Sequence, residues 1–222
     1  KVSRVLPGMQ AAFVDIGLDK AAFLHASDIV QHDPLAELDG KPAVSKDIRV
    51  LVREGQYLLV QVVKDPLGTK GARLTTDITL PSRYLVFMPD SAHVGVSQRL
   101  ESEAERQRLK DIVSNCVDDC GGFIVRTAAE GAAEDELVQD AKFLKKLWSK
   151  ILKRKKNTRK EGVVYEDLSL SYRILRDFVG TELERVRVDS KLTFQQLTAF
   201  CEEFMPQIIP LLEYYPGERP IF

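Results

Sequence analysis

The sequence has no apolar run long enough to cross a bilayer, and its first residues, KVSRVLPG, contain no signal-peptide core. These absences argue against a membrane span and a secretory route, and they predict a cytoplasmic protein.

Cysteine is also scarce, and the spacing of Cys116, Cys120 and Cys201 fits neither a zinc ribbon nor a zinc finger. We interpret these cysteines as buried thiols.

The chain has almost no net charge. It carries 32 Lys and Arg against 33 Asp and Glu, a net charge of −1, which by itself argues against a nucleic-acid-binding protein. The charges are nevertheless segregated, because residues 142–160 contain ten Lys or Arg and no acidic residue. Two interpretations of this basic run stay open: a solvated helix face, or a surface that follows phosphates. A Gly-rich phosphate loop, a catalytic triad and metal-ligand spacing are missing too, which argues against a metabolic enzyme.

The sequence does contain the composition of a folded protein, with 222 residues that are 44% hydrophobic and 29% charged. Its first 76 residues are rich in short apolar strands. We predict five of them, near residues 2–6, 11–16, 21–25, 57–64 and 72–76, with a helical turn at 25–29 and a polar loop at 30–48. Five short strands, a helical turn and one long loop are typical of an OB barrel, a fold that binds oligonucleotides.

The remaining residues alternate strands and helices. Strands are predicted at 84–88 and 122–127, and helices at 102–119 and 135–156, from apolar spacing. Further along, 163–173 and 184–188 are predicted as partial strands and 191–212 as a helix. The pattern indicates an α+β multidomain protein. Because strand residues begin at position 2 and apolar residues close the chain, we expect a fragment of a longer protein.

Two phenylalanines in the predicted hairpin, Phe13 and Phe23, are ten residues apart. A phenylalanine in an apolar strand usually packs inside, so the local pattern favours the core over an exposed platform. The hairpin alone does not decide between the two.

Several segments together resemble one family. VSRVLPGMQAAFVDIGLDKAAFLHASDI is similar to the S1-type RNA-binding barrel, and QVVKDPLGTKGARLTTDITLPSRYLVFMP, GVSQRLE and GGFIVRTAAE resemble the ribonuclease E/G endoribonucleases. The resemblance covers essentially the whole chain. It implies an S1-type OB barrel over 1–76, an α+β 5′-sensor subdomain over 77–170 and part of an RNase H-like domain over 171–222. It also implies a single-strand-specific endoribonuclease that processes ribosomal RNA and initiates mRNA decay.

The same resemblance implies the RNA-binding residues. Phe13 and Phe23 match two outward-facing aromatic positions that stack on RNA, and stacking tolerates any base. Lys70 matches a position that contacts RNA, although it also fits an ordinary loop lysine. His25 follows the barrel pattern, and a hydrogen-bonded structural histidine is an equal alternative.

A second set of matches implies a pocket for an RNA 5′-monophosphate. Arg126 and Thr127 end an apolar strand, where a guanidinium fork and a hydroxyl suit a phosphate. Val86 and Arg99 match residues of the same pocket. The chain departs from one branch of the family at Gln98, where that branch has a second arginine, and at Ser82, where it has glycine.

Catalysis in the family is implied to lie elsewhere. A pair of aspartates in a DNase I-like domain would bind Mg²⁺, and cysteines beyond this chain would bind Zn²⁺ between the subunits of a homo-oligomer; neither ligand set is expected here. We therefore expect no catalytic or metal-binding residue in this chain. A non-hydrolytic S1-type RNA-binding module of a translation or ribosome-associated factor is the alternative function.

Overall fold

The structure is a computed structural model that describes residues 1–30, 47–117, 121–178, 183–217, 219 and 221. It is an α+β protein, as predicted, and its described strands form three separate sheets. The strands are β1 (Val2–Leu6), β2 (Ala11–Val14), β3 (Ala22–His25), β4 (Gln61–Lys64), β5 (Arg73–Thr75), β6 (Leu80–Pro81), β7 (Leu85–Met88), β8 (Val94–Val96), β9 (Gly122–Val125), β10 (Val186–Val188) and β11 (Leu212–Tyr214). The helices are α1 (Ile48–Leu51), α2 (Glu103–Ser114), α3 (Glu134–Asn157), α4 (Leu170–Phe178) and α5 (Lys191–Phe204).

The first sheet has the strand order β1-β2-β3-β5-β4. The predicted hairpin is confirmed, since β2 and β3 pair antiparallel, and the predicted helical turn is a 3-10 helix over Ala26–Asp28. Side chains alternate along these strands, so that small or branched residues point into one core and the residues between them point away. The core is made of Val2, Ala12, Val14, Ala22, Leu24, Ala26, Ile48, Val52, Ala72 and Leu74.

The predicted closed barrel is not found among the described residues, because β1 and β4 are the two free edges of an open sheet. The segment after α1 lies along the edge of β1. The Val2 amide donates to the Gln56 carbonyl (2.8 Å), and the Gly55 amide donates to the Val2 carbonyl (2.8 Å). The Val5 amide donates to the Glu54 carboxylate (2.9 Å). Because this segment occupies backbone groups of β1, β4 does not pair with that strand. Most of the loop predicted over 30–48 lies outside the described residues.

The second sheet has the order β6-β7-β9-β8, with β8 parallel to β9. One face carries Leu85, Phe87, Phe123 and Val125, which are fully buried in a core shared with α2 and α3. The strands over 84–88 and 122–127 and both helices of this region were predicted within a few residues. The sequence did not predict β6 and β8, which have two and three residues.

The third sheet is a parallel pair, β10 and β11, that packs with α4 and α5 around buried Leu175, Leu197 and Cys201. The strand predicted over 163–173 is wrong, because residues 170–178 form α4 and its apolar residues follow helical spacing. The helix predicted over 191–212 ends at Phe204, and a 3-10 helix with two prolines, Pro206–Leu211, follows it.

The interpretation of the cysteines as buried thiols holds for Cys201, whereas Cys116 is half-buried and Cys120 lies outside the described residues. Among the described helices, none is both long enough and apolar enough to span a membrane.

Candidate nucleic-acid interface

Phe13 and Phe23 form an aromatic pair on the outer face of the first sheet. They lie directly opposite each other in β2 and β3, and their ring centroids are 6.3 Å apart in an edge-on arrangement. Both rings are only partly buried and neither belongs to the core of this sheet. The reason is the alternation of each strand: Ala12 and Val14 point inward around Phe13, and Ala22 and Leu24 point inward around Phe23. The core position favoured by the local pattern is therefore wrong.

Basic residues extend this pair into a row across the sheet. Arg4 lies opposite Phe13, Arg73 lies opposite Phe23, and Lys64 lies opposite Arg73. Residues directly opposite in adjacent strands project from the same face, so the two rings have cations on both sides. Arg73 donates to the carboxylate of Asp28 at 3.1 and 3.2 Å, whereas Arg4 and Lys64 have no ion pair within the described residues. Sequence reasoning missed this row, because it depends on strand register.

His25 makes the hydrogen bonds of a structural histidine, and its ring also lies beside the aromatic pair. Its Nδ1 accepts from the Ser27 amide at 3.2 Å and lies 2.8 Å from the Ser27 hydroxyl, which caps the 3-10 turn. The imidazole also stacks against Phe23, with centroids 6.5 Å apart and an interplanar angle of 28°. The ring is therefore a structural cap that also lengthens the aromatic surface.

Lys70 is exposed at the end of a tight turn beside the hairpin. The turn is closed by two backbone hydrogen bonds between Leu67 and Lys70, of 3.1 and 2.9 Å. It packs against the β2–β3 loop, where the Lys20 ammonium donates to the Gly68 carbonyl. A Cβ on Gly71 would lie 2.0 Å from the Ala21 carbonyl oxygen, so only glycine permits this close approach. Lys70 is thereby held at the end of β3 that carries Phe23.

A second group of predicted residues converges at one end of the second sheet. Because β8 and β9 are parallel and β7 is antiparallel to β9, the residues after β8, after β9 and before β7 meet at the same end. Arg99 and Thr127 are exposed there, and Val86 lies opposite Ile124 on the uncovered face. Arg126 also projects to this face, since Val125 before it points into the core. The topology thus brings together Val86, Arg99, Arg126 and Thr127.

The guanidinium of Arg126 is held by the turn that precedes β7. Its Nη1 donates to the Ser82 carbonyl and to the Arg83 carbonyl, the latter at 3.3 Å. Its Nε and Nη2 have no hydrogen-bond partner within the described residues.

Ser82 is fixed within this turn. Its amide donates to the Leu85 carbonyl at 2.8 Å, and its hydroxyl points inward. The side chain of Ser82, where one branch of the family has glycine, therefore takes no space on the outer face.

The buried carboxylate of Asp140 holds the turn before β7 from the side of the core. Asp140 of α3 accepts from the Ser82 hydroxyl at 2.5 Å and from the Tyr84 and Leu85 amides at 3.0 Å each. Burial raises the pKa of Asp140, although the three hydrogen bonds oppose the shift. Sequence reasoning missed this residue. The signal was an acidic residue on the apolar side of a helix, three positions after Leu137 and four before Leu144.

Comparison with known proteins decides which family the chain belongs to. The family model described as the Ribonuclease E/G family matches residues 79–222. The chain belongs to the ribonuclease E/G family. Ribonuclease G of Escherichia coli (strain K12) is 61% identical over 223 residues, which cover 100% of this chain and 46% of that protein. Ribonuclease G of Haemophilus influenzae is 60% identical over 100% of this chain and 45% of its own length. Ribonuclease E of Nostoc sp. is 35% identical over 99% of this chain and 32% of its own length.

The family resemblance read from the sequence is thus confirmed, and the chain spans about half the length of the curated ribonuclease G relatives it matches. The ribonuclease E/G family match begins at the second sheet, whereas the relatives named above also align with the first sheet and its aromatic pair. Within the described residues, no group of three or more His, Cys, Asp or Glu is placed to bind a metal ion.

Proposed function

We propose that this chain is the RNA-binding and 5′-end-sensing region of a ribonuclease G-like endoribonuclease that acts on single-stranded RNA. The observation that carries the proposal is the partly exposed Phe13–Phe23 pair, which lies outside the core of its sheet with Arg4 and Arg73 on either side. Aromatic faces stack on bases of any sequence, and neighbouring cations attract the phosphates between them. A core aromatic pair would support no such function.

The other assignments follow as parts of this proposal. Residues 1–76 act as an S1-type module, 77–170 as a sensor of the 5′-monophosphate through Arg126, Thr127, Val86 and Arg99, and 171–222 as part of an RNase H-like domain. The whole protein acts in the cytoplasm as a homo-oligomer in ribosomal RNA processing and mRNA decay. No group of three or more His, Cys, Asp or Glu among the described residues is placed to bind a metal ion, and no catalytic step is assigned to them. A non-hydrolytic translation factor is disfavoured, because relatives named ribonuclease G align with the whole chain.

Alanine substitutions at Phe13 and Phe23 test the proposal. Each should weaken binding of a 5′-hydroxyl single-stranded RNA by about 1–3 kcal/mol, or roughly five- to hundredfold, because a stacking partner is lost. Neither should unfold the sheet, whereas Leu24→Ala in the core should cost about 2–5 kcal/mol of unfolding free energy. Fluorescence anisotropy and thermal melts measure the two quantities.

Tyr214→Ala is the matched control, since Tyr214 is an aromatic residue in the third sheet that is 39% exposed. It should leave RNA affinity unchanged. If the Phe13 and Phe23 variants melted as early as Leu24→Ala while the folded fraction kept its affinity, both rings would be structural and the proposal would fail.

A further inference from the structure

The C-terminal end of α3 carries an exposed group of cations, which we call the basic end of α3. It consists of Lys153, Lys155, Lys156, Arg159 and Lys160, all of which are exposed. None of the five has an ion pair with a carboxylate within the described part of the chain.

Other cations of the same basic run have partners within the chain. The Lys150 ammonium lies 2.6 Å from the Glu203 carboxylate, and Lys146 donates to the Glu203 carbonyl. Arg154 donates to the Val164 carbonyl at 3.4 Å. The basic run therefore contains cations that contact other parts of the chain and cations that face solvent, and most of the latter lie at its end.

Two ordinary explanations do not account for the whole of the basic end of α3. Cations in a last helical turn complement the helix dipole, which accounts for Lys155 and Lys156 but not for Arg159 and Lys160, because α3 ends at Asn157. A basic amphipathic helix can lie on a membrane, but only if its apolar face is available. The apolar face of α3, including Leu144, Leu147 and Ile151, is buried in the core of the second sheet.

The basic end of α3 lies next to the loop of the aromatic hairpin. A Cβ on Gly17 in that loop would be 3.5 Å from the Gly162 Cα and 3.6 Å from the Glu161 carbonyl oxygen. The Tyr57 hydroxyl also lies 3.4 Å from the Glu161 carboxylate. Arg159 and Lys160 immediately precede this contact. They are thus anchored beside the loop that joins the strands of Phe13 and Phe23.

We propose that the basic end of α3 binds the phosphate backbone of the RNA strand whose bases stack on Phe13 and Phe23. The inference rests on the proposed RNA-binding function and names a second contact surface for the same strand. Gly17 is four residues from Phe13, and because β2 ends at Val14 the distance between them is at most about 13 Å. At about 3.4 Å per stacked nucleotide, the strand would extend roughly four nucleotides from the rings before it reached the basic end of α3. A very short RNA would therefore contact the rings alone.

The test compares two RNA lengths and two sets of lysines. Lys155, Lys156 and Lys160 are replaced together by Gln, and the matched control replaces Lys110, Lys142 and Lys191, three exposed lysines elsewhere. The probes are 5′-hydroxyl oligouridylates of three and fifteen nucleotides, which lack a terminal phosphate. Affinity is measured by fluorescence anisotropy between 0.05 and 0.5 M salt, with all variants made in the 222-residue chain. The unmodified chain and the Phe13→Ala variant are the references.

We expect the Lys155/Lys156/Lys160 variant to bind the 15-mer at least tenfold more weakly at 0.1 M salt and the trimer as tightly as before. Its salt slope for the 15-mer should fall by about two, since each phosphate contact to a single strand contributes about 0.7. The control set should change neither quantity. Equal weakening by both lysine sets, or equal weakening of both RNAs, would overturn the inference.

The outcome also separates this inference from the proposed function. If Phe13→Ala weakened both RNAs while the lysine variant resembled its control, the aromatic platform would stand and the basic end of α3 would be a solvated helix face. If Phe13→Ala changed neither RNA, the proposed function would fail, and the inferred path from the rings would fail with it.

Discussion

Asp140 holds the turn that precedes β7 by accepting three hydrogen bonds. Its carboxylate satisfies three donors of the turn that precedes β7, and the carbonyls of that turn hold Arg126. Asp140 does not face the proposed phosphate pocket. It acts through the turn, as a positioning residue, and its removal should first be visible in stability.

Two substitutions at Asp140 separate its hydrogen bonds from its charge. Asp140→Ala leaves the Ser82 hydroxyl and two amides without an acceptor in a buried place, which should cost about 3 kcal/mol or more of unfolding free energy. Asp140→Asn keeps an oxygen for the amides, and the Ser82 hydroxyl can turn to accept from the new NH₂ group. We expect it to cost less than about 1 kcal/mol. Denaturant titration at pH 7 measures both losses of unfolding free energy, and equal losses would show that the charge of Asp140, rather than its capacity to accept hydrogen bonds, stabilises the turn.

The pH dependence of the same variants follows from the direction of the pKa shift. Burial raises the folded-state pKa of Asp140 above its ordinary value of 3.8, so the folded protein holds this proton more tightly than the unfolded chain. The resulting stability is fully present below about pH 3.8 and is lost as the pH rises through the folded-state value. The native protein should therefore lose stability relative to Asp140→Asn over that interval. A difference that stayed constant with pH would contradict a raised pKa.

Strands and helices with a clear period were predictable, and those that depend on pairing were not. The hairpin of β2 and β3 follows from alternation around Gly17, and α3 follows from its apolar stripe. In contrast, β8 has three residues and a central glycine, and it forms only because β9 offers it an edge. The row of Arg4 and Lys64 beside the aromatic rings also needs the register of strands distant in sequence. Local patterns carry no information about such partners.

The end of the second sheet illustrates how elements rather than single residues build the proposed sensor. Arg99 follows β8, Arg126 follows β9, and the turn that holds Arg126 precedes β7. The Nε and Nη2 groups of Arg126 can meet a phosphate while Nη1 stays on the turn. A terminal monophosphate carries about −1.5 to −2 charge near neutral pH and three acceptor oxygens, whereas a 5′-hydroxyl has none of these.

Arg126→Ala should therefore weaken a 5′-monophosphate RNA about tenfold or more and leave its 5′-hydroxyl form nearly unchanged, since a charge-assisted hydrogen bond contributes about 1.5–3 kcal/mol. Arg126→Lys keeps the charge but not the planar fork, and it should recover only part of the loss. Arg187→Ala in the third sheet serves as the control. Anisotropy with one oligonucleotide in both 5′ forms, at fixed salt, measures the effect. Equal weakening of both forms would make Arg126 a general backbone contact.

Helix α3 connects the three parts of the described molecule. Its middle supplies Leu144 and Leu147 to the core of the second sheet, and Phe143 contacts Phe200 and Phe204 of α5. The residues that follow it contact the loop at Gly17 in the first sheet. Helix α3 and the residues after it thus contact all three parts of the described molecule. RNA contacts in different parts of the chain can therefore act on a single strand.

RNA binding by this chain should not depend on a divalent metal ion, and binding should not lead to cleavage. The residues proposed to bind RNA are aromatic or basic, and the described residues have no cluster of three or more His, Cys, Asp or Glu that could hold a metal. The chain also spans only 46% of Escherichia coli ribonuclease G. We expect equal affinity for a 5′-monophosphate RNA in excess EDTA and in millimolar Mg²⁺ at matched ionic strength, because Mg²⁺ would act only by screening. A 5′-labelled RNA should remain intact on a denaturing gel after prolonged incubation with Mg²⁺. Cleavage that followed the protein through a final column, and that Phe13→Ala reduced in proportion to binding, would place catalytic residues inside this chain.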